Sequence, residues 1–274
     1  LTNIDAATKA TAALNGGNEN KIAIARILKA YIFWTITDRW GDIPYTTALK
    51  GDPNVTYDTQ EVVYKDLIKE LTEAIAQFTT GAPIKGDVAY NGNTAQWQKL
   101  ANSLRMLMAL RLSKKYPLAS DYAATQFKAA LTDAAGSIAT NADNFMLTYP
   151  GGNFKNPYYN MYDGRKDYGE SKTMTDMLTV TLPNDLRQNV FGANLNGAAS
   201  TIGVPYGWSR DLITTWTSQP ANVNYCYVFN PTYRQPTSPI YIVKASSVLL
   251  ARAEAADREW TTETANTQTL YEAG

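Results

Sequence analysis

The run Arg26-Ile27-Leu28-Lys29-Ala30-Tyr31-Ile32-Phe33-Trp34-Thr35-Ile36-Thr37-Asp38 passes directly into Arg39-Trp40-Gly41-Asp42-Ile43-Pro44-Tyr45. From Ile22 to Ile36 the residues are nearly all apolar, relieved by Arg26, Lys29 and Thr35. Arg26 and Lys29 are three apart, so on a helix they form one narrow polar stripe with apolar surface around the rest. A helix of this kind belongs inside a domain, with partners on several sides. It is too short and too charged to cross a bilayer, which takes roughly 20 predominantly apolar residues. Gly41 permits a reversal and Pro44 forbids helical continuation, so the expected helix over about 20–37 has a fixed exit.

Outward from this stretch, helical patterns recur. Asp58-Thr59-Gln60-Glu61 has the form of a capping box, followed over 59–79 by Val62, Val63, Leu67, Leu71, Ile75 and Phe78 on one stripe. Asn93 caps a long helix to about Tyr116, and a further helix is expected over 119–136. Trp97, Leu100, Ala101 and Leu104 are spaced as in the first helix of a tetratricopeptide unit. Stacked helix pairs are therefore the expected architecture of 20–137, preceded by a weakly helical, alanine-rich segment at 5–14. After Ile138 the texture changes. Residues 140–168 and 192–240 are rich in Asn, Gly, Pro and Tyr and flank a short helix at 171–179, with helical order returning at Ala245–Asp257. Loops this long are uncommon unless functional, and their aromatic content argues against disorder.

Composition narrows the chemistry. The 274 residues are 45% hydrophobic and 18% charged, with 25 basic and 25 acidic side chains, so no net field draws the chain to nucleic acid. There is no histidine, which removes Ser-His-Asp and Cys-His catalysis and histidine-ligated metal. The single cysteine, Cys226, excludes an internal disulfide, and its neighbours Tyr225, Tyr227 and Phe229 describe a buried, inert thiol. No metal or cofactor is implied. Tyr and Trp, 18 and 6, far outnumber the 7 Phe, a bias toward surfaces that are apolar on a face and hydrogen-bonding at an edge. Leu1-Thr2-Asn3 and the closing Tyr271-Glu272-Ala273-Gly274 read as interior points of a longer protein.

The ordered set of motifs resembles the SusD/RagB family of outer-membrane lipoproteins from Bacteroidetes-type bacteria. It comprises the buried helix with Trp40-Gly41-Asp42-Ile43-Pro44-Tyr45, then Tyr57-Asp58-Thr59-Gln60-Glu61, Gly86-Asp87 with Tyr90, and Trp97 through Ala101-Asn102-Ser103-Leu104-Arg105. Ser238-Pro239-Ile240 and Arg252-Ala253-Glu254-Ala255-Ala256 complete it, so that the likeness covers roughly 20–274. Arg258-Glu259 departs from the pattern where the family usually has a glycine before Trp260. The resemblance implies an all-α fold of tetratricopeptide-like helix pairs carrying an irregular, loop-rich binding face. It implies one SusD-like domain over 1–274, truncated at both ends, with scaffold at 20–137, binding region at 138–240 and a return to scaffold at 241–274. It further implies surface exposure at the outer membrane through a lipid anchor outside this chain, a TonB-dependent, SusC-like transporter as partner, and capture of oligosaccharide or, in the RagB branch, peptide, without catalysis.

Two loops carry the candidate contacts. The first is Asn153 to Arg165, where the apolar face of a sugar ring could stack on Tyr158, Tyr159 or Tyr162 while Asn153, Asp163 and Arg165 hydrogen-bond its hydroxyls. The other reading of those rings is that they pin a long loop to the scaffold. The second is Gly203 to Arg210, where Gly and Pro around Tyr206 and Trp208 can display a ring at a loop tip. Trp34, Trp97, Trp216 and Trp260 are expected in the core, and Trp40 in the turn. Arg26, Arg105 and Arg111 are expected to pair with Asp38, Asp42 or Glu254 across helices, because buried charges are normally paired. The enzymatic alternative, a glycosidase with two carboxylates, has only Asp163 and Asp167 inside the aromatic loop to draw on.

Overall fold

The computed structural model describes residues 18–48, 50–51, 53–80, 84–183 and 185–274. The segment at 5–14 lies outside the described residues. In chain order the helices are α1 (Glu19–Trp40), α2 (Gln60–Gln77), α3 (Thr94–Arg111), α4 (Tyr122–Leu131), α5 (Pro157–Asn160), α6 (Lys172–Asp176), α7 (Gln188–Phe191), α8 (Arg210–Ser218), α9 (Ala245–Asp257) and α10 (Thr267–Ala273). Short strands are β1 (Phe145–Leu147), β2 (Gly192–Ala193), β3 (Tyr227–Val228) and β4 (Ile240–Val243), paired as β1 with β4 and β2 with β3. The described chain forms two compact units. One contains the residues up to Met146 together with Tyr241–Gly274, the other Leu147–Ile240. Among the described residues no helix is long and apolar enough to cross a membrane.

The first unit is helix pairs, and the opening stretch is at its centre. Ala23, Ile27, Ala30 and Phe33 of α1 are buried, as are Val63, Leu67, Ile68 and Leu71 of α2 and Leu100, Leu104, Met106 and Met108 of α3. Arg26, near the start of α1, reaches Glu70 (2.9 Å), Glu73 and Gln77 (3.1 Å) near the end of α2. Asp38, near the end of α1, accepts from Tyr64 near the start of α2, so the two helices run antiparallel. The pairing explains why the expected partners of the arginines were only partly right. Arg105 lies 3.6 Å from Asp133 just past α4, and only Arg111 takes Asp38, at 3.2 Å. Arg26 pairs across helices as expected, but Arg26 and Arg105 take Glu70, Glu73 and Asp133 in place of Asp38, Asp42 or Glu254.

Caps and turns follow the same logic. Asn93 caps α3 by accepting from the Gln96 amide (3.3 Å). At α2 the cap is Thr59, accepting from Val62 N at 3.4 Å, and the expected capping box at Asp58 does not form. Asp58 instead accepts the amides of Tyr45 (3.2 Å) and Thr46 (2.7 Å), holding the exit of α1 against the start of α2. Asp87 takes four donors, Trp97 Nε1 (2.7 Å) and the amides of Gly92, Ala89 and Tyr90 (2.9, 2.9 and 3.2 Å), which shapes the turn before α3. Trp97 and Trp260 are core residues as expected. Trp34 is half-buried and donates to Tyr64 Oη (2.9 Å). Trp40, expected in the turn, is 65% exposed with Arg39 over its ring. Gly41, Thr37 and Gln60 make the turn by hydrogen bonds that need no ring there: Gly41 N donates to Thr37 O (2.8 Å), and the Gln60 side-chain Nε2 to the same oxygen (2.8 Å).

After α9 the chain turns at Glu259, whose φ of 57° lies in the left-handed region. The Glu259 and Trp260 amides return to the Ala256 and Ala255 carbonyls at 3.0 and 2.9 Å, a helix-ending arrangement that favours glycine at this position.

The second unit leaves many of its aliphatic side chains exposed, Val180, Leu186 and Leu212 among them, and tyrosines fill its core. Tyr162, Tyr225 and Tyr227 form its core, with Met161, Ile202, Val204, Trp216 and Val228 packed around them. Part of the tyrosine excess that suggested binding surface is therefore structural.

Candidate ligand-binding cleft

Three segments distant in sequence are laced side by side in the second unit. The Glu170 amide donates to Cys226 O (2.9 Å), Val204 N to Glu170 O (2.8 Å), Lys172 N to Val204 O (2.8 Å) and Cys226 N to Ile202 O (2.9 Å). The lacing needs backbones to approach closely at Gly203, where a Cβ would meet Lys172 Cα at 2.4 Å, and at Gly169, where it would meet Val204 Cγ2 at 2.5 Å. The loops that continue from this ladder, 165–169 and 205–207, become the walls of one cleft of about 740 Å³.

Its third wall is α8. Ser209 caps that helix, and Arg210, Ile213, Thr214 and Thr217 face the cleft at the spacing of a single helical stripe. Gly207, with φ of 81°, turns the chain just before the helix and leaves Tyr206 87% exposed at the tip. Tyr168, 53% exposed, stands on the opposite loop. Beneath them Tyr225 lines the floor, stacked on Tyr227 at 4.6 Å, with the Tyr227 hydroxyl donating to that of Tyr225 (2.7 Å).

Tyr162 braces this floor from inside. Its hydroxyl donates to the Tyr168 carbonyl (3.1 Å) and accepts the Val228 amide (3.0 Å), and its ring meets Tyr227 edge-on at 5.3 Å. Burial raises its pKa, and the Val228 amide and Arg234 pull the other way. With 8% of its surface exposed, Tyr162 holds up the loop that carries Tyr168.

Of the residues singled out in sequence, Arg165 and Tyr206 line the cleft together. Asn153, Tyr158, Tyr159, Asp163 and Trp208 do not line it. Tyr158 packs edge-on against Phe229 at 4.9 Å, and Tyr159 lies under Lys155, which is itself 2.8 Å from Asp163. Both sets of contacts lie within the second unit. Asn153 is exposed beside the Gly151–Phe154 bridge, and Trp208 is 49% exposed just past the Gly207 turn. Tyr168 and Lys166 were not singled out, and Arg210 only closed the second candidate loop. The stripe at 210, 213, 214 and 217 behind a serine cap was the available signal for the last.

Helix pairs in one unit and a loop-built cleft in the other describe a mainly helical protein. The chain belongs to the SusD-like family described as starch-binding and associating with the outer membrane, whose model matches residues 1–274. Solved structures agree. A chitin-binding SusD homologue from Flavobacterium johnsoniae is 24% identical with a TM-score of 0.75, over 94% of this chain and 52% of that one. SusD homologues from Bacteroides uniformis and Bacteroides fragilis are each 28% identical, with TM-scores of 0.73 and 0.75, over 95% of this chain and 53% and 58% of theirs. The chain thus spans little more than half the length of these relatives. No curated protein matches.

Proposed function

We propose that this protein captures oligosaccharide or polysaccharide at the bacterial surface, without transforming it, for delivery to a TonB-dependent, SusC-like transporter. Attachment to the outer membrane through a lipid anchor outside the present residues belongs to the same reading. The observation that carries it is the cleft between Tyr168 and Tyr206. Two exposed rings stand over hydrogen-bonding side chains on α8, which suits a pyranose with an apolar face and a polar rim. The pairing of Asp163 with Lys155 and of Asp167 with Arg165 supports the absence of a catalytic carboxylate pair, since both acids are exposed and neutralised by a neighbour.

Affinity electrophoresis of the full chain through gels containing single polysaccharides tests the proposal. Retardation by at least one glycan is expected, weakened about tenfold by Tyr206→Ala or Tyr168→Ala, a loss near 1.4 kcal/mol. Tyr158→Ala leaves binding unchanged. Migration unaffected by every glycan, or retardation indifferent to both cleft rings, would overturn it.

A further inference from the structure

The glycan-capture reading leaves the charge of the ligand open, and the charges of the second unit address it. Leu147–Ile240 contains seven basic side chains. Lys155 pairs with Asp163 (2.8 Å), Arg165 with Asp167, Lys172 with Asp176 (2.5 Å) and Arg187 with Asp185 (2.6 Å). Arg234 is buried over the Tyr162 ring and donates to Phe229 O (3.0 Å). The two that remain, Lys166 and Arg210, have no ion-pair partner among the described residues, and both line the cleft.

The acids are distributed the opposite way. Asp167 is the one acidic residue lining the cleft, and Arg165 already occupies it. Asp211 follows Arg210 on α8 but does not line the cleft, and Glu170 is buried behind it. In a chain whose charges balance overall, a cleft with two unspent cations and no unspent acid is a local departure. Such a site attracts negative charge and repels none.

We infer that this cleft takes an anionic glycan, one whose sugar rings bear carboxylate or sulfate groups, with Arg210 and Lys166 pairing the charge while Tyr168 and Tyr206 hold the rings. The guanidinium fork matches either group bidentately, and the lysine supplies a movable point charge. This rests on the glycan-capture reading, and the test separates the two.

The full chain is run through gels of polygalacturonate and of its fully methyl-esterified form, which share a backbone and differ in charge, and likewise of dextran sulfate and dextran. Alginate and hyaluronan extend the uronate arm. Retention by at least one anionic polymer is expected, roughly tenfold tighter than by its neutral counterpart and weakening as salt rises, with the matched pairs distinguishing carboxylate from sulfate. Arg210→Gln and Lys166→Gln each reduce retention several-fold and together abolish the preference, whereas Lys69→Gln on the exposed face of α2 does not. Equal retention by charged and neutral partners, or retention by neutral glycans alone, overturns the charge inference and leaves glycan capture standing. Retention by no glycan overturns both. Anionic retention untouched by the double substitution moves the ligand out of this cleft and overturns the inference.

Discussion

The guanidinium of Arg234 lies 4.1 Å from the centroid of the Tyr162 ring. Both side chains are buried, so the contact is made in a desolvated setting where a cation over an aromatic face is worth about 2 kcal/mol. It adds a buried cation to a core built on Tyr162, Tyr225 and Tyr227, and it fixes Tyr162 as a support. Tyr162→Phe keeps the ring but removes the bonds to Tyr168 O and from Val228 N. It is expected to lower unfolding free energy by about 1–2 kcal/mol, with the orphaned Val228 amide contributing. Chemical denaturation measures this. A variant of unchanged stability that had lost glycan affinity would mean that the hydroxyl meets ligand instead.

Gly203 is the point at which the cleft walls are joined. A methyl group there would press on Lys172 Cα at 2.4 Å and Thr175 Oγ1 at 2.7 Å, both on a segment already held by backbone hydrogen bonds. Gly203→Ala is therefore expected to cost roughly 1–3 kcal/mol by overpacking and to weaken glycan retention in step. Gly207 offers a contrast. A Cβ there meets nothing within 4 Å, but φ is 81°, so Gly207→Ala strains only the turn and re-aims Tyr206. Its expected cost is about 1 kcal/mol, with the loss falling mainly on affinity. Parallel melting and gel-retardation measurements on the two variants distinguish a framework glycine from a display glycine.

At Glu259 the chain places a side chain in the left-handed region that favours glycine. The residue occupies φ 57° to close the turn after α9 and deliver Trp260 into the core, where its indole donates to Pro117 O (3.1 Å). Glu259→Gly removes the left-handed penalty, partly offset by greater freedom of the unfolded chain, and is expected to stabilise by about 0.5–1 kcal/mol. Thermal denaturation checks the sign. A lower melting temperature would show that the Glu259 side chain contributes more than its backbone costs.

How much of this could be read beforehand depended on the range of the interactions. The span Ala245–Asp257 and the Asn93 cap were visible because periodicity and capping act within a few residues. Helix α8 was hidden among irregular segments because its 9 residues offer little more than two turns of pattern, and the β-branched Ile213, Thr214, Thr215 and Thr217 favour helix weakly. The tyrosines were ambiguous for a different reason. Tyr162 in the core and Tyr206 at a loop tip are the same side chain, and only the ladder joining 170, 204 and 226 decides which ring is enclosed. That ladder links residues tens of positions apart through backbone atoms, which leave no trace in side-chain pattern. Arg165 and Tyr206 were singled out separately. Their convergence on one cleft is information that the fold adds.

Glu170 joins that ladder to a measurable pH dependence. Its backbone bonds both Cys226 and Val204, while its side chain is 6% exposed and neither carboxyl oxygen has a hydrogen-bond partner. Burial pushes its pKa above the ordinary 4.5, against a smaller pull from neighbouring Thr175 and Cys226. The folded protein therefore holds this proton to higher pH than the unfolded chain does. The contribution of Glu170 to stability is fully present below 4.5, where both states are protonated, and is lost as pH climbs through the raised folded value. Glu170→Gln removes the charge with little change of shape. It is expected to raise unfolding free energy at neutral pH by on the order of 1–3 kcal/mol, the scale of an unsatisfied buried polar group. The advantage should shrink toward zero at acidic pH and leave a flatter profile of melting temperature against pH. A variant less stable than the parent at neutral pH would show that the Glu170 carboxylate is paired in the folded chain, against the upward shift that burial gives it.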